Sequence, residues 1–289
     1  DLAIMGFVEV IKHLPRMMKI MGKTIDTISR TKPDRIILID YPGFNLRLAK
    51  RIQHLKIPIT YFILPQVWAW KEKRVETMKA VLDQTLSIVP FEQDWFESRG
   101  LQTNYVGHPF AEQEHLDESS KDFYQRHEIT IEHPLLVLLP GSRQQEVDRH
   151  WPIFLRTVKK LKESNSLIQV MVGKAPNVSL SPMPNDFKIE ENARKAMVAG
   201  TVAIVSSGTA TLECAVEDTA MVVCYKLSAI SWWLTNNMAS VKYASMVNLI
   251  ADENIVPEFL QHNMTEENLV KSIIPLLNAK SIDRKKMLS

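Results

Sequence analysis

The residues best suited to chemistry in this chain stand where apolar runs give way to small or polar ones. Thr201-Val202-Ala203-Ile204-Val205 is a β-branched run that reads as a buried parallel strand, and Leu212 to Val216 reads as the start of a helix. Between them Ser206, Ser207, Gly208, Thr209, Ala210 and Thr211 are small enough for a tight strand-to-helix turn. Such a turn aims backbone N–H groups and the positive end of the helix dipole at whatever sits above the strand, which suits an anion and above all a phosphate. Glu213 stands about one turn into the helix, where a carboxylate can bind sugar hydroxyls. Ser, Gly and Thr are also ordinary helix caps, so the turn alone fits a plain helix start as well. A second strand, Leu135 to Leu139, ends in Pro140-Gly141-Ser142-Arg143, with Gln144 to Val147 entering a helix. Arg143 can offer a phosphate its planar fork of N–H groups, or simply pair with Glu146 at the surface.

The first half of the chain carries a different set. Arg35 to Ile39 is a strand ending in Asp40-Tyr41-Pro42-Gly43-Phe44-Asn45, and Asn45 is the expected cap of a helix through about His54. Asp40 then stands at the carboxyl end of a parallel strand, where open α/β sheets bind ligands. An aspartate there can equally accept hydrogen bonds from the turn. Pro58 to Leu64 is the next strand, followed by Pro65-Gln66-Val67-Trp68-Ala69-Trp70-Lys71. Gln66, Trp68 and Trp70 can wall a pocket or pack between domains. Thr85 to Val89 and Asn104 to Val106 are further strands, the last ending in Gly107-His108-Pro109, where His108 is a general base or a hinge residue.

Residues 111–134 turn polar and show no strand signal, so they are the expected linker between two domains, 1–110 and 135–289. Strand and helix then alternate again: a strand over Ile168 to Val172, a helix over Asn192 to Val198, the Thr201 to Glu213 unit, a strand over Ala220 to Tyr225, an aromatic helix from Ser231, and a helix capped by Thr265 and ending near Leu277. Two such blocks predict two Rossmann-like domains facing one another across a cleft. The chain has 289 residues and a formal charge of +2, so charge does not argue for nucleic acid as a partner. Cys214 and Cys224 lack the spacing of a disulfide framework or metal site, and no D-x-D pair or His/Cys cluster predicts a bound metal. Phe7, Val8, Ile11, Leu14, Met18 and Met21 recur at helical spacing beside Lys12, Arg16, Lys19 and Lys23, a pattern shared by membrane-surface helices and ordinary core helices. The chain starts at Asp1 inside this amphipathic segment, which reads as a fragment of a longer protein.

Six motifs in order along the chain carry a resemblance: Met5-Gly6-Phe7-Val8-Glu9-Val10, Ile39 to Asn45, Gln66-Val67-Trp68-Ala69-Trp70, Gly107-His108-Pro109, Leu139 to Arg143 with Glu146-Val147, and Ser207 to Glu213. Together the set resembles the lipid-A-disaccharide synthases. The resemblance implies a GT-B glycosyltransferase, α/β, with its first domain incomplete here because the family's first glycine- and serine-rich loop has no counterpart. It also departs from the pattern at Val247, often Pro in the family, and at Gly43, Asp in some members.

The implied reaction joins UDP-2,3-diacylglucosamine to 2,3-diacylglucosamine 1-phosphate (lipid X), inverts the anomeric centre and releases UDP, with no metal or other cofactor. It takes place on the cytoplasmic face of the bacterial inner membrane, with the enzyme peripheral to it. By resemblance Asp40 is the base for the acceptor hydroxyl and Arg143 neutralises the departing diphosphate. The Ser207-Gly208-Thr209 turn adds its amides, Glu213 takes the ribose, and Asn248 and Gln261 hold sugar or phosphate. Gln66, Trp68, Trp70 and the basic first helix would meet substrate, acyl chains or membrane. A carboxylate is a weak base at neutral pH, so proton transfer would come late, as the oxocarbenium-like centre forms. The rivals are another GT-B UDP-sugar enzyme, such as an N-acetylglucosamine transferase or 2-epimerase, and a non-catalytic nucleotide-sugar-binding module.

Overall fold

A computed structural model describes residues 7–112, 116, 118–228, 232 and 242–289, with side chains of the first helix described from residue 15 onward. The Met5 to Val10 motif and, apart from Trp232, the aromatic segment expected from Ser231 lie outside these described side chains. The chain forms two compact units, 1–109 and 110–289.

The first unit is a parallel sheet in the order β1-β2-β3-β4, made of β1 (Ile36–Ile39), β2 (Ile59–Phe62), β3 (Gln84–Ser87) and β4 (Asn104–Tyr105). Its crossovers are the helices α2 (Pro42–Ile52), α3 (Val67–Trp70), α4 (Arg74–Val81) and α5 (Glu92–Glu97). Parallel strands need such crossovers because a tight hairpin reverses direction. β1 alternates: Ile36 and Leu38 are buried in the core, whereas Ile37 and Ile39 are 63% and 57% exposed. Helix α1 (Phe7–Thr31) packs Met21, Ile25 and Ile28 on the same core and turns Arg16, Lys19 and Lys23 to solvent. Met18, expected in the apolar stripe, is 52% exposed. No helix of the described residues is long and apolar enough to cross a membrane.

The second unit is a six-stranded parallel sheet in the order β10-β9-β8-β5-β6-β7. Its strands are β5 (Leu135–Leu139), β6 (Gln169–Gly173), β7 (Phe187–Glu190), β8 (Val202–Ser206), β9 (Met221–Tyr225) and β10 (Glu258–Leu260). β5 and β8 are buried along their whole length. Alternate β5 residues feed two separate cores, Leu136 and Leu138 on one face and Leu135, Val137 and Leu139 on the other. A strand covered on both faces has no polar side, which is why these runs are continuously apolar. Helices α7 (Gln144–Ser164), α8 (Ala193–Ala199) and α9 (Thr209–Val216) cross between the strands, and further helices span Met246–Ala251, Glu266–Leu277 and Ile282–Leu288.

Two expectations change. The segment 111–134 is not a linker throughout, because it contains helix α6 (Ser120–Arg126). Ser119 caps this helix by accepting from the Asp122 amide, Phe123 is buried in the second core, and Tyr124 donates from its hydroxyl to the Ala199 carbonyl at 2.6 Å. One buried aromatic and one cap anchor a helix too short to show periodicity. Asn45, in turn, is not the cap of α2. The helix starts at Pro42, a favoured first-turn position, and the Asn45 amide donates backwards to the carbonyls of Ile39 and Asp40.

Candidate functional site

All six strands of the second sheet are parallel, so β5, β8, β9 and β10 end on one edge. The first two of these ends make the site. After β5 the chain turns through Gly141 at φ +126°, a conformation that favours glycine. A Cβ there would stand 2.8 Å from Oε2 and 2.9 Å from Cβ of Glu146. The missing side chain therefore lets Glu146 lie against the turn and accept from Nη1 of Arg143 at 2.9 Å. Arg143 is paired with Glu146, and its Nε is buried with no hydrogen-bond partner among the described residues. At the end of β8 the hydroxyl of Ser206 is also buried and without a partner among the described residues, 3.5 Å from where a Gly141 Cβ would be. Two buried donors without partners among the described residues, at the ends of neighbouring strands β5 and β8, are costly unless something accepts from them. The neighbouring start of α9 adds a positive dipole end, with Gly208 at φ +156° and open space where its Cβ would stand.

The other expected residues divide. Thr209 is exposed at the first position of α9, and Glu213 is half-buried one turn in, with no hydrogen bond among the described residues. Burial raises the Glu213 pKa, Arg194 opposes that shift and Glu217 adds to it. Ser207 is committed elsewhere: its amide donates to the Cys224 carbonyl and its hydroxyl to the Ala244 carbonyl. Gln261 follows β10 at φ +52°, on the same edge, with Nε2 buried and without a partner among the described residues.

Asn248 is fully buried and engaged within the protein, which removes it from the set of residues open to sugar or phosphate. Its Oδ1 accepts from the amides of Ile255 and Val256, and its Nδ2 donates to the Val256 carbonyl and to Glu258. Glu258 also accepts from the Ala244 and Ser245 amides and the Ser245 hydroxyl. This network fixes the chain that leads into β10 and Gln261. Asn248→Ala leaves the buried Val256 amide and the part-buried Ile255 amide unpaired and is expected to cost about 3 kcal/mol. In a unit of this size that lowers Tm by about 6–12 °C. Thermal unfolding checks it, and an unchanged Tm would return Asn248 to the ligand-binding set.

In the first unit, Asp40 and Tyr41 follow β1 with consecutive left-handed backbones, φ +46° and +47°. Such a pair stores strain of about 1–3 kcal/mol per residue and is kept only where the surroundings over-determine it. Here they do. The Asp40 amide donates to the Phe62 carbonyl, and its carbonyl accepts from the Tyr61 hydroxyl and the Asn45 amide, both at 2.6 Å. Tyr61 is fully buried, and that burial, then the Asp40 charge, pushes its pKa upward. The Asp40 carboxylate is left exposed with no hydrogen bond among the described residues. Gln66 and Trp68 stand beyond the end of the neighbouring strand β2, Gln66 exposed and Trp68 half-buried. The Trp68 indole is anchored, donating to Glu92 at 2.9 Å and meeting Phe91 edge-on. Glu92 is buried, accepts from the Ser87 hydroxyl as well, and has its pKa raised by desolvation. Trp70 is 51% exposed with the Lys71 ammonium 4.1 Å above its ring. His108 follows β4, three strands from β1, with its pKa lowered by burial. At about 5 Å per strand it stands too far off to serve Asp40.

Sequence reasoning missed Ser206, His150, Glu92 and Glu258. Ser206 was readable in principle as a polar residue ending an apolar run; the other three act through partners distant in sequence.

The family profile described as lipid-A-disaccharide synthetase matches residues 1–289. The lipid-A-disaccharide synthase of Myxococcus xanthus is 35% identical over 94% of this chain and 73% of its own length. This chain belongs to the lipid-A-disaccharide synthase family. The enzyme of Solibacter usitatus, another member, is 35% identical over 99% of the chain and 76% of its own length. Members are glycosyltransferases, and the two parallel α/β units are those expected of the GT-B class. Among solved structures, a UDP-GlcNAc 2-epimerase from Neisseria meningitidis superposes with a TM-score of 0.67 at 12% identity, covering 100% of this chain and 79% of that one. The spinosyn rhamnosyltransferase SpnG gives 0.57 at 9% identity, over 95% and 73%. At those identities the likeness is one of fold, while the match over the whole sequence is to the lipid-A-disaccharide synthases and not to the epimerases.

Proposed function

We propose that this protein transfers 2,3-diacylglucosamine from UDP to the 6-hydroxyl of lipid X, with the donor diphosphate held at the ends of β5 and β8. Arg143 Nε after β5 and Ser206 Oγ at the end of β8, both buried and without a partner among the described residues, carry this reading. A diphosphate supplies the acceptors they lack, and the α9 dipole adds to its stabilisation as negative charge builds on departure. Glu213, half-buried and without a hydrogen bond among the described residues, takes the ribose hydroxyls. Gln261 offers its buried amide from the end of β10. Asp40 in the first unit takes the acceptor proton. Arg143 and the helix dipole supply the charge neutralisation that a metal gives elsewhere, so the proposed reaction is insensitive to chelators. The Arg16, Lys19 and Lys23 face of α1 and exposed Trp70 suit peripheral contact with an anionic membrane, proposed here as the cytoplasmic face of the inner membrane.

The test is thermal unfolding with and without UDP. At about 100 times its Kd, UDP adds about 2.7 kcal/mol and raises Tm. The shift is expected to shrink or vanish in Glu213→Ala, whose unliganded Tm stays near wild type because the carboxylate makes no hydrogen bond among the described residues. A shift of equal size in both proteins would remove Glu213 from the nucleotide site.

A further inference from the structure

Three consecutive strand ends frame the proposed diphosphate site, and a single side chain ties the outer two. β9 and β5 flank β8, each about 5 Å away. His150, in the second turn of α7 and fully buried, reaches both. Its Nδ1 lies 2.8 Å from the carbonyl of Pro140, in the turn after β5. Its Nε2 lies 3.0 Å from the backbone N–H of Lys226, the residue after β9. A carbonyl can only accept and an amide can only donate, so the ring is the neutral tautomer with its proton on Nδ1. The Phe154 ring stacks at 6.2 Å between centroids and the Tyr225 ring sits at 6.1 Å. Between the two tied ends β8 finishes in Ser206, whose hydroxyl is the orphan.

We propose that His150 is a positioning residue for the anion site: by bridging the Pro140 turn and the Lys226 backbone it holds Arg143 and the β9 end at the spacing in which a diphosphate also meets Ser206. The inference rests on the donor-site reading above. The groups facing the ring are Glu146 and Arg149 from its own helix, and Tyr225 and Lys226 from the end of β9. Burial is the largest influence and lowers the His150 pKa; Arg149 and Lys226 act in the same direction, while the Pro140 carbonyl and Glu146 oppose them. The ring is therefore neutral at pH 7, and protonation in acid turns the acceptor for Lys226 into a second donor and breaks the bridge.

The experiment measures UDP affinity by calorimetry across pH 5 to 8 for the wild type, His150→Phe and His150→Gln, each checked for folding by circular dichroism. Phe fills the space without either bond and is expected to raise Kd about tenfold at pH 7, the worth of a lost buried hydrogen bond. Gln carries one donor and one acceptor and is expected to recover most of that loss. UDP's own phosphate titrates in this range, so the readout is the difference between proteins: wild type weakens more steeply in acid than His150→Gln. Equal UDP affinity in wild type and the Phe variant overturns the inference. So does a folded Gln variant as weak as Phe, or one with the acid profile of wild type. Should the Phe variant fail to fold, the comparison of Gln and wild-type profiles decides alone. A wild-type chain that binds no UDP at any pH fails the donor-site reading itself, and this inference with it.

Discussion

Asp40→Asn is expected to reduce sugar transfer by about a thousandfold, within the range for removal of a general base, while UDP affinity changes by less than about twofold. The substitution is clean because of the backbone. Asp40 sits at φ +46°, and asparagine occupies the left-handed region as readily as aspartate. The hydrogen bonds that pin the residue use its amide and carbonyl, with Phe62, Tyr61 and Asn45 as partners. The carboxylate itself holds nothing in place among the described residues, so its removal takes away a proton acceptor and little else. The assay follows transfer from UDP-2,3-diacylglucosamine to lipid X beside a UDP titration. Full activity in the Asn variant would make Asp40 a turn residue. An equal loss of UDP binding would make it a donor-site residue and remove the base assignment.

Arg143→Ala is expected to lower the transfer rate by about a hundredfold to a thousandfold, the usual effect of removing a donor aimed at charge that grows in the transition state. UDP affinity also falls, by about tenfold or more, because a charge-assisted hydrogen bond is lost. Arg143→Lys does not restore either quantity. The guanidinium uses Nη1 on Glu146 and presents Nε from the same rigid plane, whereas an ammonium is a point charge that can satisfy one partner at that position. Lysine therefore keeps the charge and loses the geometry. Rates and UDP titrations on Ala and Lys variants check this. Full rescue by Lys would show that net charge alone matters, and the cradle at Gly141 would lose its stated purpose.

Much of the molecule was readable along the chain. The runs Leu135 to Leu139 and Val202 to Val205 announced buried strands because a parallel strand covered on both faces carries no polar side. The turns after β1, β5 and β8 stood out by their change in residue type, and Asp40, Arg143 and Glu213 were found there. Phe187-Lys188-Ile189-Glu190 and Glu258-Phe259-Leu260 were not read as strands, since each is short, carries charge and lies at a sheet edge. Phe123 showed nothing of the core it enters. Ser207 looked like the serine of the site, and Ser206 is the one left with an orphaned hydroxyl, because the neighbouring strand and loop consume both polar groups of Ser207.

What the sequence determined by itself is local: element type, where each element stops, and the kinds of group left at each stop. Family membership follows from the order of those groups along the chain. Only the tertiary structure decided which polar groups remain free. The sheet order brings the ends of β5 and β8 side by side across 66 residues of chain, with Leu139 in register with Val205. Asn248 is spent on Ile255, Val256 and Glu258, Trp68 on Glu92, and His150 on Pro140 and Lys226. Among the described residues Arg143 Nε, Ser206 Oγ and Gln261 Nε2 are left over. A donor is available to a ligand only after every nearer acceptor has been assigned, and that assignment depends on distances that spacing along a chain does not contain.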